Sequence, residues 1–197
     1  MNCILTGVGG QGTILAAKLI ADTAMAKGLQ VRTAETIGMA QRGGSVVSHV
    51  RIGEQVYSPL IPEKTADLII GFEPAEAVRA LRYLKEDGLV IVSKTALKPA
   101  SAALNEKAYE VSAMLTYLQE KVSKVIFVDT DSICQKCGSP KVINVVLLGV
   151  AAASGRLGFT VDELEATLRR MLPEKILAMN LRALHEGAKE LGSDYPS

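Results

Sequence analysis

The feature that most restricts the folds open to this chain lies at its start. A short apolar strand, Asn2 to Thr6, runs directly into Gly7-Val8-Gly9-Gly10-Gln11-Gly12 and then into an Ala/Leu-rich helix. Strand, glycine turn and helix in that order let backbone N–H groups approach an anion at the positive end of a helix dipole. Gly7, Gly9 and Gly12 fit G-x-G-x-x-G, and Glu35 lies at the end of the next apparent strand, where a ribose-binding acid is expected. Taken alone, the pattern points to a dinucleotide or another phosphate-containing ligand. The same glycines also serve a tight turn with close helix–sheet packing and no ligand.

The rest of the chain alternates in the same manner, which predicts one α/β domain over residues 1–197, long enough to bury about 70% of its unfolded surface. Helix one is expected from Gln11 to Lys27, ending at Gly28, and strand two from Val31 to Thr36. Ser45 to Ile52 alternates as a strand, with Gly53-Glu54 turning into a short strand at Gln55 to Ser58, so this region reads as a hairpin. Asp67 to Phe72 reads as a buried strand, Pro74 to Leu84 as a helix with Pro in its first turn, and Leu89 to Ser93 as another strand. A helix is expected at Ala113 to Lys121 and a strand at Lys124 to Asp129. Three further helices follow at Pro140 to Ser154, Val161 to Met171 and Pro173 to Leu191. The expected fold is a Rossmann-like, doubly wound, mostly parallel sheet with a β-hairpin insertion and a helical C-terminal third.

Composition narrows the function classes. Lys plus Arg number 22 against 21 Asp plus Glu, so no basic surplus favours nucleic acid. The apolar runs are too short to span a bilayer, and three cysteines without a signal peptide suggest a reducing, cytoplasmic setting. Hydrophobic residues reach 48% with only 4% aromatics, which suits a parallel sheet covered by helices. It also suits an apolar face kept for a partner, including a second copy of the isolated chain.

Among the candidate sites, Met39-Ala40-Gln41-Arg42-Gly43-Gly44-Ser45 is the most unusual stretch. Arg42 beside Gly43 and Gly44 offers a bidentate guanidinium and open backbone N–H groups, suited to phosphate or carboxylate, unless the arginine is simply solvated. Arg51 with His49 on one strand face either extends that anion site or is ordinary surface. Cys134-Gln135-Lys136-Cys137 suggests a dithiol or metal site, or two incidental cysteines in a loop. Three cysteines cannot supply a four-iron cluster, which needs four thiolates. Asp129 and Asp131 suit a hard cation or helix capping. No G-x-S-x-G elbow or other catalytic set is present. The chain has binding loops without catalytic machinery, as one part of a larger assembly would.

Three stretches carry a resemblance. Gly7-Val8-Gly9-Gly10-Gln11-Gly12 is the first. The second is Gly38-Met39-Ala40-Gln41-Arg42-Gly43-Gly44-Ser45-Val46-Val47 leading into His49-Val50-Arg51, and the third is Tyr57-Ser58-Pro59-Leu60-Ile61. They strongly resemble the gamma-type subunit of the 2-oxoacid:ferredoxin oxidoreductases, which in the indolepyruvate branch is the beta subunit. Asp67-Leu68-Ile69-Ile70-Gly71-Phe72-Glu73, Glu76-Ala77-Val78-Arg79, and Asn144 with Leu148-Gly149 are similar to later parts of that family, so the likeness covers most of residues 1–155.

The resemblance implies an enzyme subunit of a complex that oxidatively decarboxylates a 2-oxoacid to an acyl-CoA and passes electrons to ferredoxin. It implies aryl pyruvates such as indolepyruvate as substrates, and thiamine diphosphate and iron–sulfur clusters on a companion alpha subunit, with this chain inactive alone. Ferredoxin replaces NAD in that scheme, which sets the dinucleotide reading aside. This chain itself has no assigned cofactor, metal or catalytic residue; coenzyme A is the candidate ligand. Gly7, Gly9, Gly10, Gln11, Gly12, Arg42, Gly43 and Gly44 are then expected to form the anion-binding surface. A stand-alone NAD(P)-binding protein and a noncatalytic scaffold are the alternatives.

Overall fold

The computed structural model describes residues 1–37, 44–97 and 109–191. Six strands form one mixed sheet in the order β2-β3-β1-β4-β5-β6. They are β1 (Asn2–Val8), β2 (Gln30–Ile37), β3 (Ser45–Gly53), β4 (Ala66–Gly71), β5 (Leu84–Ser93) and β6 (Lys124–Val128). The run β1-β4-β5-β6 is parallel, while β3 is antiparallel to both β1 and β2. The helices are α1 (Thr13–Ala26), α2 (Pro74–Ala80), α3 (Val111–Lys121), α4 (Thr130–Cys137), α5 (Ile143–Ala153), α6 (Val161–Met171) and α7 (Glu174–Lys189).

The expected α/β architecture is present. Element ends shift: α2 stops at Ala80 and β5 starts at Leu84, where the sequence predicts a helix to Leu84 and a strand from Leu89. Two further differences stand out. The hairpin is β2 with β3, joined across residues 38–44, whereas Gln55 to Ser58 is irregular and does not pair with β3. That segment is held instead by side chains of β3. Arg51 donates to the Ser58 and Leu60 carbonyls (3.0 and 3.3 Å), and the Ile61 N–H donates to His49 Nδ1 (3.1 Å). Arg51 pairs in register with Asn2, at the opposite end of β1 from the glycine loop, so His49 and Arg51 do not extend an anion site. The second difference concerns Cys134 and Cys137. They lie in α4, not in a loop, because Asp129 caps its start through Ser132 and Gly138 closes it at φ 87°.

Two apolar layers cover the sheet. On one face Leu5, Leu68, Ile70 and Ile91 pack with helices α1, α4, α5, α6 and α7. On the other, Ile4, Ile69, Val90 and Val92 pack with α2 and α3. This alternation follows from the two-residue period of the strands, whose runs are apolar on both faces as buried parallel strands require. The helices that follow the neighbouring strands β1 and β4 lie on opposite faces: α1, after β1, on the first, and α2, after β4, on the second. Since β1 and β4 are neighbours, a crevice opens at their carboxyl ends, where ligands of open α/β sheets bind.

Candidate functional site

The glycine loop, Val8 to Gly12, closes the carboxyl end of β1 at that crevice. Its shape is set by Gln11, whose side chain is buried. Gln11 Oε1 accepts the Val8 N–H (2.7 Å) and Gln11 Nε2 donates to the Phe72 carbonyl just beyond β4 (3.0 Å). Gly7 must lack a side chain to admit this plug, because a Cβ there would lie 2.6 Å from Gln11 Oε1 and 2.8 Å from Phe72 Cβ. Gly12 is required twice over: its φ is 82°, and a Cβ would meet Asn144 Nδ2 of α5 at 2.8 Å.

The loop amides divide into used and free. The Gly9 N–H donates to the Gly44 carbonyl (2.9 Å) and the Gln11 N–H to Val8 (3.2 Å). Both of these amides are therefore paired within the loop or with its neighbour. Among the described residues, the Gly10 and Gly12 N–H groups have no acceptor. They sit ahead of α1, whose N-cap Gly12 brings no capping side chain and whose first turn holds no acid. Among the described residues the positive end of α1 therefore has no capping side chain or acid against it. Gly7, Gly9, Gly10, Gln11, Gly12 and Gly44 come together here; Arg42 and Gly43 lie outside the described residues.

A cavity of about 250 Å³ adjoins the loop. Gly10, Gln11, Leu97, Cys134, Pro140 and Ile143 line it. Asp131 and Lys141 reach the same cavity. Cys134 faces a thiolate-disfavouring environment: burial pushes its thiol up to about 11, with Cys137 adding in the same direction. Both cysteines lie in the second half of α4, where the helix dipole opposes negative charge. A thioredoxin-like dithiol needs the reverse.

Glu35 is displaced from the glycine loop. It lies on the edge strand β2, with β3 between it and β1, and it is level with Leu5 through their shared partner Ser48. With β3 between them, β2 lies two strand spacings, about 9.6 Å, from β1, which removes the ribose acid that a dinucleotide site requires.

On the other side of the crevice, the first turn of α2 holds a polar network that local sequence signals did not expose. Glu73 caps α2 by accepting the Glu76 N–H (3.1 Å) and also accepts the Tyr109 hydroxyl. Glu76 accepts the Ser45 hydroxyl (2.6 Å) and pairs with Arg79. Burial, reinforced by the nearby Glu76 charge, pushes the Glu73 carboxyl up to about 7. The folded chain consequently holds a proton on Glu73 that the unfolded chain releases between its ordinary value of 4.5 and about 7. Stability is expected to fall as pH rises through that window. Glu73→Gln should flatten this slope, read as a smaller difference between urea midpoints at pH 5 and pH 8.

Similarity to known proteins agrees with this architecture. The family model described as pyruvate ferredoxin/flavodoxin oxidoreductase matches residues 2–190. The chain is 40% identical to the indolepyruvate oxidoreductase subunit IorB of Archaeoglobus fulgidus, covering 100% of this chain and 98% of the relative. It is 35% identical to the subunit of the same name from Thermococcus kodakarensis, over 95% and 94% of the two chains. Among solved structures, the gamma subunit of a keto/oxoacid ferredoxin oxidoreductase from Geobacter sulfurreducens superposes with TM-score 0.71 at 21% identity, over 96% of each chain. A 2-oxoglutarate:ferredoxin oxidoreductase from Magnetococcus marinus, solved with coenzyme A and succinyl-CoA bound, gives TM-score 0.72 at 18% identity. That match covers 96% of this chain and 30% of the larger one.

Proposed function

Because the chain belongs to the pyruvate ferredoxin/flavodoxin oxidoreductase family, we propose that it is the subunit of an indolepyruvate-type 2-oxoacid:ferredoxin oxidoreductase that holds coenzyme A. A companion subunit then supplies the thiamine and iron–sulfur chemistry. The Archaeoglobus and Thermococcus relatives carry the indolepyruvate name, and the Magnetococcus enzyme was solved with coenzyme A. The observation that supports the reading is the start of α1, where among the described residues the Gly10 and Gly12 amides have no acceptor and Gly10 lines a cavity at the sheet's switch crevice.

The donor set of this chain does not fit an iron–sulfur cluster. Of its three cysteines, Cys3 is enclosed in β1, where burial pushes its thiol far up, and Cys134 and Cys137 sit on α4. Among the described residues no group of three or more His, Cys, Asp or Glu is placed to hold a metal. The work left to this chain is binding and orientation. Backbone N–H groups at a helix start hold phosphate without being consumed, and Arg42, outside the described residues, is proposed from the sequence as the charged partner of that site.

Calorimetric titration of the purified chain, and of the chain reconstituted with its companion subunit, tests the reading. Saturable coenzyme A binding that weakens at least tenfold in Arg42→Ala is expected, with no saturable binding of NAD or NADP. Dinucleotide binding would overturn the assignment, and silence toward coenzyme A in both preparations would leave a scaffold.

A further inference from the structure

Resting on the reading that a companion subunit completes the enzyme, we propose that an extended segment of that subunit docks on this chain as an added strand. It pairs with the outer edge of β2, through the outward backbone groups of Val31, Thr33 and Glu35. Which groups point outward follows from the pairing of β3. The Ile52 N–H donates to the Met1 carbonyl (2.8 Å) and the Met1 amino group to the Ile52 carbonyl (2.6 Å), so both Ile52 groups face β1. Val31, the register partner of Ile52 in β2, therefore turns its own N–H and C=O away from β3. The β2–β3 register runs from Gln30 to Ile37 without a shift, so Thr33 and Glu35 repeat that orientation. Among the described residues, the one hydrogen bond to this outward row comes from the Arg32 guanidinium, to the Val31 carbonyl (3.0 Å).

The edge also lacks the usual guards. Open edges are kept short, or carry proline, lysine or a bulge, which prevents unwanted pairing. The opposite edge of the sheet follows that rule, since β6 has five residues and starts at Lys124. Strand β2 has eight residues with neither proline nor lysine, and Arg32, Thr33, Glu35 and Thr36 are exposed. A strand this long and bare suits a permanent partner that supplies the missing hydrogen bonds.

Charge selects a strand of another protein over a second copy. Val31 packs on the first face of the sheet, so Glu35 lies on that face and Arg32 on the second. Among the described residues neither forms a salt bridge. Arg32 has Arg51 as its register partner in β3, a like charge on its inner side. In a two-fold antiparallel pair of β2 strands, residues of the same face meet, so Arg32 of one copy never meets Glu35 of the other. A companion strand with an acid opposite Arg32 and a base opposite Glu35 satisfies both charges.

The test measures association of the full chain with its companion subunit. Thr33→Pro removes an outward donor and obstructs strand addition, yet spares the β2–β3 ladder, because proline fits an edge strand where the N–H faces away. Its urea midpoint is expected to match the wild type, while its affinity for the companion subunit falls roughly tenfold or more. Glu35→Lys keeps the backbone intact and should weaken the complex about fivefold. Hydrogen exchange over residues 30–37 should slow when the wild-type complex forms. Wild-type affinity in Thr33→Pro, or unchanged exchange over residues 30–37, overturns the proposal. If Thr33→Pro lowers the urea midpoint, the exchange measurement on the wild-type complex decides. A wild-type chain that dimerises in sedimentation, with Thr33→Pro abolishing the dimer but not the complex, assigns the edge to a second copy and also overturns it. A wild-type chain that never joins the companion subunit removes the underlying reading together with this one.

Discussion

Gly149→Ala is expected to destabilise the protein by about 3 kcal/mol or more, the upper range for forcing atoms into a packed core. Gly149 on α5 and Gly187 on α7 face each other where the two helices come closest. A Cβ at Gly149 would lie 2.1 Å from the Leu184 carbonyl oxygen, and one at Gly187 would lie 2.1 Å from that of Val146. Both obstacles are backbone, so no rotamer change relieves them and the helices must separate. Helix α5 is apolar over nearly its whole length and packs against α1, α4, α6, α7 and β5, so a shift there reaches the entire first face of the sheet. Glycine at such a position costs helix propensity of about 1 kcal/mol, which close packing must offset. Urea denaturation measures the loss. Gly28→Ala is the control: its φ of 79° strains any side chain, but a Cβ there meets nothing. Its cost should stay near 1 kcal/mol. Equal effects of the two substitutions would show that packing between α5 and α7 is not the cause.

Gln11→Ala is expected to cost about 3 kcal/mol and to abolish coenzyme A binding. The substitution strands two buried groups, the Val8 N–H and the Phe72 carbonyl, each losing its partner where water does not replace it. Each such orphan costs about 1–3 kcal/mol. The void also frees the loop whose Gly10 and Gly12 amides must stay aligned. Gln11→Glu separates the two effects. A carboxylate still accepts from Val8 but cannot donate to Phe72, and its charge lies under the helix start that is to receive an anion. Its stability loss should be the smaller of the two and its binding loss equally complete. Denaturation midpoints paired with calorimetry read both, and a stable Gln11→Ala chain that still binds coenzyme A would show that the plug does not shape the site.

The sequence by itself determined the class of fold and the place of the glycine loop within it. Strand, glycine turn and helix at residues 2–26 are specified by short-range chemistry: an apolar run, positive φ at Gly10 and Gly12, and an alanine-rich helix. Pro74 after Glu73 and the capping box from Thr160 to Glu163 mark their helices just as locally. The helical state of Cys134 and Cys137 was legible too, in Asp129 before α4 and Gly138 after it, and the CxxC spacing obscured that signal.

Tertiary structure alone decided which strands pair and what each loop side chain does. Period-two alternation assigns faces to β3 but says nothing about its neighbours. Its insertion between β2 and β1 depends on contacts across the sheet, and that insertion moves Glu35 away from the glycine loop. The same holds for Gln11 reaching Phe72, Ser45 reaching Glu76 and Tyr109 reaching Glu73. Those partners lie 31 to 61 residues apart, and their hydrogen bonds exist only once the chain has closed around them. Backbone propensity acts over a few residues, whereas burial and pairing act over the whole fold. The former specified the elements, and the latter specified which loop amides have partners among the described residues and which do not.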